Sequence, residues 1–124
     1  RTVRRVTYTR EALGYPIMAE LTYLGDCLLV HISGGVSPHI GSVSTVYFDD
    51  GKTELKTLLL PHHRDDVVSE RFAVELSKRT RSTVTAVCGI HYDNPGREGI
   101  AAIVECTDGI LEDMLRDLST QLNN

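Results

Sequence analysis

Two dipeptides, Gly25-Asp26 and Asp50-Gly51, most constrain what this chain can fold into. Each sits between runs of alternating or apolar residues, and glycine supplies the positive φ that two-residue hairpin turns demand. Before the first, Ile17, Ala19, Leu21 and Tyr23 alternate with Met18, Glu20 and Thr22. After it, residues 27–32 are nearly all apolar, as a central strand requires. Around the second, Val43, Val46 and Phe48 mark a strand over 42–49, and residues 53–60 form its return. Upstream, residues 2–11 read as an edge strand with basic decoration, and Gly14-Tyr15-Pro16 turns the chain.

The period then changes. Pro61 stops the fifth strand, and Asp65 or Asp66 can cap a helix in which Val68, Phe72 and Leu76 step by four as far as Thr80. Residues 83–92, rich in Val and Ile, read as an interior strand. Asn94-Pro95 then reads as a helix start, with Asn as cap and Pro at the first helical position. From there Ile100, Ile103, Thr107, Ile110, Met114, Leu118 and Leu122 trace one face of a helix to about residue 122, with Gly109 as the place for a bend. Strands followed by helices predict an α+β domain over residues 1–124, with two helices on one face of a mainly antiparallel sheet of about six strands. A ferredoxin-like split βαβ is the lesser alternative.

Composition narrows the function. Thirteen Lys+Arg against seventeen Asp+Glu give a net charge of −4, which argues against broad binding to nucleic acid or an anionic membrane. No apolar run approaches the roughly 18 residues of a membrane span, and no signal peptide opens the chain. Cys27, Cys88 and Cys106 lie among apolar neighbours without a CxxC pair, which predicts reduced, buried thiols in a cytoplasm.

Three segments concentrate polar chemistry. In Ser33–Gly41, the glycines Gly34 and Gly35 would let main-chain N–H groups approach an anion, and Ser37 and His39 add side chains. A tight crossover between strands explains the same glycines. His62-His63-Arg64-Asp65-Asp66 opens a helix, where free N–H groups with His63 and Arg64 suit a phosphate or carboxylate, although a solvated capping turn reads the same way. His91-Tyr92-Asp93-Asn94-Pro95 ends a strand and opens the last helix, a pattern that capping alone also explains. His39, His62, His63, His91 and Asp93 supply metal donors, but HxH and HExxH spacings are missing, so no metal is expected. The chain also lacks a GxSxG elbow, and its cysteines lie where a thiolate is disfavoured.

GGVSPHIGSVS after a hydrophobic hairpin, PHHRDD opening one helix and VCGIHYDNPGRE opening the next together resemble the LpdD-like proteins. These are small accessory proteins associated with prenylated-FMN-dependent decarboxylases of the UbiD type, with a domain similar to the dimeric, non-enzymatic proteasome assembly chaperones. The resemblance covers almost the whole chain. Position by position, it picks out Gly34, Gly35, Pro38, His39, Ile40 and Gly41, then His63 and Arg64, then His91, Asp93 and Asn94. It departs at His62, where the family pattern has glycine. It carries over no catalytic residue.

The implied function is a non-catalytic accessory protein that assists maturation of a UbiD-type aromatic acid decarboxylase or delivers prenylated FMN to it from a flavin prenyltransferase. Gly34 and Gly35 with Arg64 would meet the phosphate of prenylated FMN or FMN, and His39 or Tyr47 would lie near its rings. Two alternatives stand beside it: an escort of protein subunits without a small ligand, and a small metal-assisted hydrolase. The apolar last helix and early strands predict a two-fold dimer.

Overall fold

The structure, a computed structural model, describes residues 4–122, with the backbone alone for residues 119–122. Three hairpins and two helices build it: β1 (Arg5–Ala12), β2 (Tyr15–Leu24), β3 (Cys27–Gly35), β4 (Ser42–Asp49), β5 (Lys52–Leu59), α1 (Asp66–Thr80), β6 (Val84–His91) and α2 (Gly96–Leu122). The α+β expectation holds. The six strands run in the order β1-β2-β3-β6-β4-β5, and only the β3–β6 pair is parallel.

Gly25-Asp26 and Asp50-Gly51 make the two-residue turns expected of them, since Leu24 pairs with Cys27 and Asp49 with Lys52. The first turn lies one step earlier than the sequence suggests. Ala12 pairs with Tyr15, so Leu13 and Gly14 form it, at φ 54° and 84°. Leucine rarely adopts that conformation, which is why the sequence hid it. The basic first segment is indeed the edge strand; residues 1–3 lie outside the described residues.

Alternation along the strands sends Ile17, Ala19, Leu21, Val30, Ile32, Val84, Ala86 and Cys88 to one face. Phe72 and Leu76 of α1 and Ile110, Met114 and Leu118 of α2 cover that face. The middle of the stripe on the last helix, from Ile110 to Leu118, is therefore consumed inside the protomer, while Ile100 near its start is 55% exposed. Gly109 serves that packing: a Cβ there would lie 2.4 Å from the Arg10 guanidinium, which crosses the helix to Asp113 at 3.1 Å. Cys27 corrects the reading of three buried thiols, for it is exposed at the start of β3, while Cys88 and Cys106 are buried.

Because β6 lies between β3 and β4, residues 36–41 must cross its C-terminal end. Gly89 of β6 makes the crossing possible. A Cβ on it would stand 1.6 Å from the His39 carbonyl oxygen, so only a glycine admits the strap. Gly41 N–H donates to the Cys88 carbonyl at 2.8 Å and holds the strap's far end. Underneath, Ser69 of α1 joins Ser42 and Ser44 of β4 at 2.8 and 2.7 Å, a buried hydroxyl cluster that fixes the start of α1 beside the strap.

Candidate functional site

The strap, the turn before α1 and the turn before α2 meet at one end of the sheet. They enclose a groove of about 910 Å³. Ser37, His39, His62, His63, Arg64 and His91 supply its polar lining. Val67 and Val68 of α1, Ile90 of β6, and Ile100, Ile103 and Val104 of α2 supply an apolar wall. Ile100 and Val67 are 55% and 62% exposed, so this wall faces solvent across the groove.

Asp65 organises the polar side. The sequence offered it as a helix cap, but its side chain makes no capping bond; only its main-chain carbonyl accepts from the N–H groups of Val68 and Ser69. The buried carboxylate turns back toward the sheet. Oδ1 accepts the Ile90 N–H at 3.1 Å and the Cys88 thiol at 3.9 Å, while Oδ2 stands 3.4 Å from His39 Nε2. Burial, with the Asp65 charge beside it, pushes the Cys88 thiol strongly up, so it stays protonated and is no nucleophile.

The imidazoles are held by the main chain. His39 Nδ1 meets the Ser37 carbonyl at 2.9 Å and His63 Nδ1 the Pro61 carbonyl at 2.6 Å. The two rings lie 4.8 Å apart. His91, at the mouth, donates to Asp93 at 3.0 Å. Arg64 is exposed and forms no ion pair among the described residues. Tyr92 is buried; its hydroxyl donates to the Ala12 carbonyl at 2.8 Å and ties the second turn to the β1–β2 hairpin, and burial raises its pKa.

The structure thus brings Ser37, His39, His63, Arg64 and His91 to one groove. It places Pro38, Ile40, Gly41, Asp93 and Asn94 in the same turns but off its lining. Gly34 and Gly35 part company with them. Both are buried residues of β3, paired with Ile90 and His91 of β6. A Cβ on Gly34 would lie 2.4 Å from the Pro16 oxygen, and one on Gly35 2.2 Å from the His91 oxygen. The close approach these glycines serve is to the protein's own backbone, so the expected anion-binding loop is a strand end. Tyr47 also lies away from the groove, on β4, with Lys56 over its ring at 5.7 Å. Asn94 does not cap α2 in the expected way. It has φ 45° and Gly96, the first residue of α2, φ 69°, so the chain turns at both positions as the helix starts.

Sequence reasoning passed over two contributors. Gly89 carried no signal because a lone glycine in a strand has many explanations. Asp65 was taken for a cap. His62 stands at φ 67°, in the left-handed region that glycine occupies most readily, which is consistent with the glycine that the resemblance implies at this position.

A six-stranded, mostly antiparallel sheet covered on one face by two helices has a counterpart among solved structures. The fold matches a chain in the crystal structure of a chaperone complex for yeast 20S proteasome assembly, with TM-score 0.59 over 97% of this chain and 98% of that one, at 15% identity. Residues 11–119 match the family described as the prenylated flavin chaperone LpdD-like domain, and the chain belongs to that family. It is 33% identical over 109 residues to Protein LpdD of Lactiplantibacillus plantarum, covering 84% of this chain and 78% of that protein. The chain is therefore a non-catalytic accessory protein of the chaperone kind. No helix among the described residues is long and apolar enough to cross a membrane.

Proposed function

We propose that this protein holds prenylated FMN, or FMN itself, in the groove and passes it from a flavin prenyltransferase to a UbiD-type aromatic acid decarboxylase. One observation carries the reading: three turns distant in sequence converge on a space with an apolar Val/Ile wall and an imidazole and guanidinium rim. A volume near 910 Å³ lies within the range of cofactor sites, about 300–1,000 Å³. The donor set suits the ligand. Arg64, without an ion-pair partner among the described residues, is placed to pair with the phosphate, and Ser37 and His91 add hydrogen bonds. Ile100, Ile103 and Val104 offer the apolar surface that a ring system needs. Pro38, Ile40, Gly41, Asp93 and Asn94 serve by shaping the turns.

Titration with FMN and reduced prenylated FMN, followed by fluorescence or calorimetry, tests this. Micromolar or tighter binding is expected, and a flat titration with both ligands removes the flavin from the proposal. A second reading, escort of a protein without a small ligand, draws on β5. That edge strand leaves Leu55, Leu58 and Leu59 exposed, at 41%, 64% and 41%. A two-fold dimer would draw on exposed apolar surface of the same kind, here or at Ile100 and Val104 of α2. Light scattering at micromolar concentration distinguishes dimer from monomer. Co-purification with a cofactor-free decarboxylase, in the absence of flavin binding, favours the escort.

A further inference from the structure

The flavin reading leaves one arrangement on the groove wall unused. A nitrogen from His39, a nitrogen from His63 and a carboxylate oxygen from Asp65 all lie within 4.8 Å of one another. A carbonyl can only accept, so the bonds to Ser37 and Pro61 place a proton on Nδ1 of each ring and leave Nε2 as the donor atom. Metal-ligating histidines are oriented in this same manner, by a main-chain acceptor on the far nitrogen. Asp65 is likewise anchored through Oδ1 by the Ile90 N–H, with Oδ2 turned toward the rings.

His39 Nε2 is the telling atom. It is buried and has no hydrogen-bond partner among the described residues, yet it stands 3.4 Å from Asp65 Oδ2. Held there without a proton on Nε2, two electron-rich atoms shielded from water would repel, so the pair calls for a shared proton or a bound cation. The separation equals one edge of a tetrahedron around an ion with bonds of about 2.0–2.1 Å, roughly 3.3 Å. Gly41 makes room for the group: a Cβ there would stand 1.9 Å from Asp65 Oδ2 and 2.9 Å from His63 Cδ2.

We propose that His39 Nε2, His63 Nε2 and Asp65 Oδ2 bind a divalent first-row transition ion, of the zinc or ferrous class that two imidazoles and one carboxylate favour. Three protein ligands leave the remaining coordination positions open to the groove, as in sites that accept an exogenous ligand. An anionic oxygen donor is the ligand such an ion takes there. The proposal stands apart from the flavin reading, because the metal alone is the probe.

The chain, purified without a histidine tag and stripped with chelator, is titrated with Zn2+ by calorimetry and with Co2+ by visible absorption. One ion per chain is expected, with micromolar or tighter affinity. His39→Gln and His63→Gln each weaken it at least tenfold, and His31→Gln, outside the groove, leaves it unchanged. Circular dichroism reports whether each variant folds. For any variant that does not, X-ray absorption at the zinc edge of the wild-type complex reads the shell directly, with two imidazoles and a carboxylate expected. Absence of stoichiometric Zn2+ binding overturns the proposal, and the pair is then bridged by a proton. Binding that survives in both glutamine variants, or a shell lacking two imidazoles, overturns it equally.

Discussion

The Gly34-Gly35 doublet and the separate glycines Gly41 and Gly89 make an instructive contrast. The doublet is conspicuous in the sequence and looks like a loop that cradles an anion. In the fold it is buried in β3, pressed against Pro16, Ile17 and His91. Gly89 is inconspicuous and Gly41 stands out only as part of the same loop, but together they let the strap cross β6 and let Asp65 and His63 close against it. A glycine in a sequence signals that something approaches its Cα closely. It does not say whether that something is a ligand, a side chain or another strand.

Substitutions sharpen the contrast, and the largest effects fall on the two backbone contacts. Gly34→Ala and Gly89→Ala should each destabilise the domain by roughly 3 kcal/mol, measured by urea denaturation, because a methyl group must displace main chain rather than a flexible side chain. If Gly34→Ala folds, it should keep ligand and metal affinity; if Gly89→Ala folds, it should lose both, because the strap carrying His39 moves. Equal behaviour of the two folded variants would erase the distinction. Gly41→Ala meets a side chain instead. A smaller loss of about 1–2 kcal/mol is expected, together with at least a tenfold loss of Zn2+ affinity, since the Asp65 carboxylate must swing away.

Arg64→Ala separates binding from folding more cleanly. The exposed guanidinium holds nothing in place, so stability should stay within about 0.5 kcal/mol. FMN affinity should fall about tenfold through loss of one charge-assisted contact to phosphate. Unchanged FMN affinity would direct the phosphate elsewhere. The smallest effect is expected for His62→Gly. Relief of the left-handed backbone and the greater freedom of the unfolded chain oppose each other, and the melting midpoint should change by the equivalent of about 1 kcal/mol or less.

Much of the site was legible in pieces. His39, His63, Arg64 and His91 were marked by their positions in turns that end strands and open helices, and all four line the groove. The role of Asp65 was not legible. An aspartate before a helix is locally indistinguishable from a cap, and only the nearness of Ile90, 25 positions away, diverts its carboxylate. The same holds for Asn94, whose residue type suits a cap while its backbone makes a turn.

The residues alone determined the local structure: hairpins at Gly25-Asp26 and Asp50-Gly51, two helices of helical period, and a domain of the α+β class. These depend on side-chain period and backbone freedom over a few neighbours, which the order of residues encodes directly. Only the tertiary structure decided that β6 enters between β3 and β4. That insertion makes the crossing strap, the need for glycine at Gly89 and the meeting of His39 with Asp65. Pairing between strands 38–56 residues apart is chosen by burial of the whole sheet face, and no local pattern records the choice.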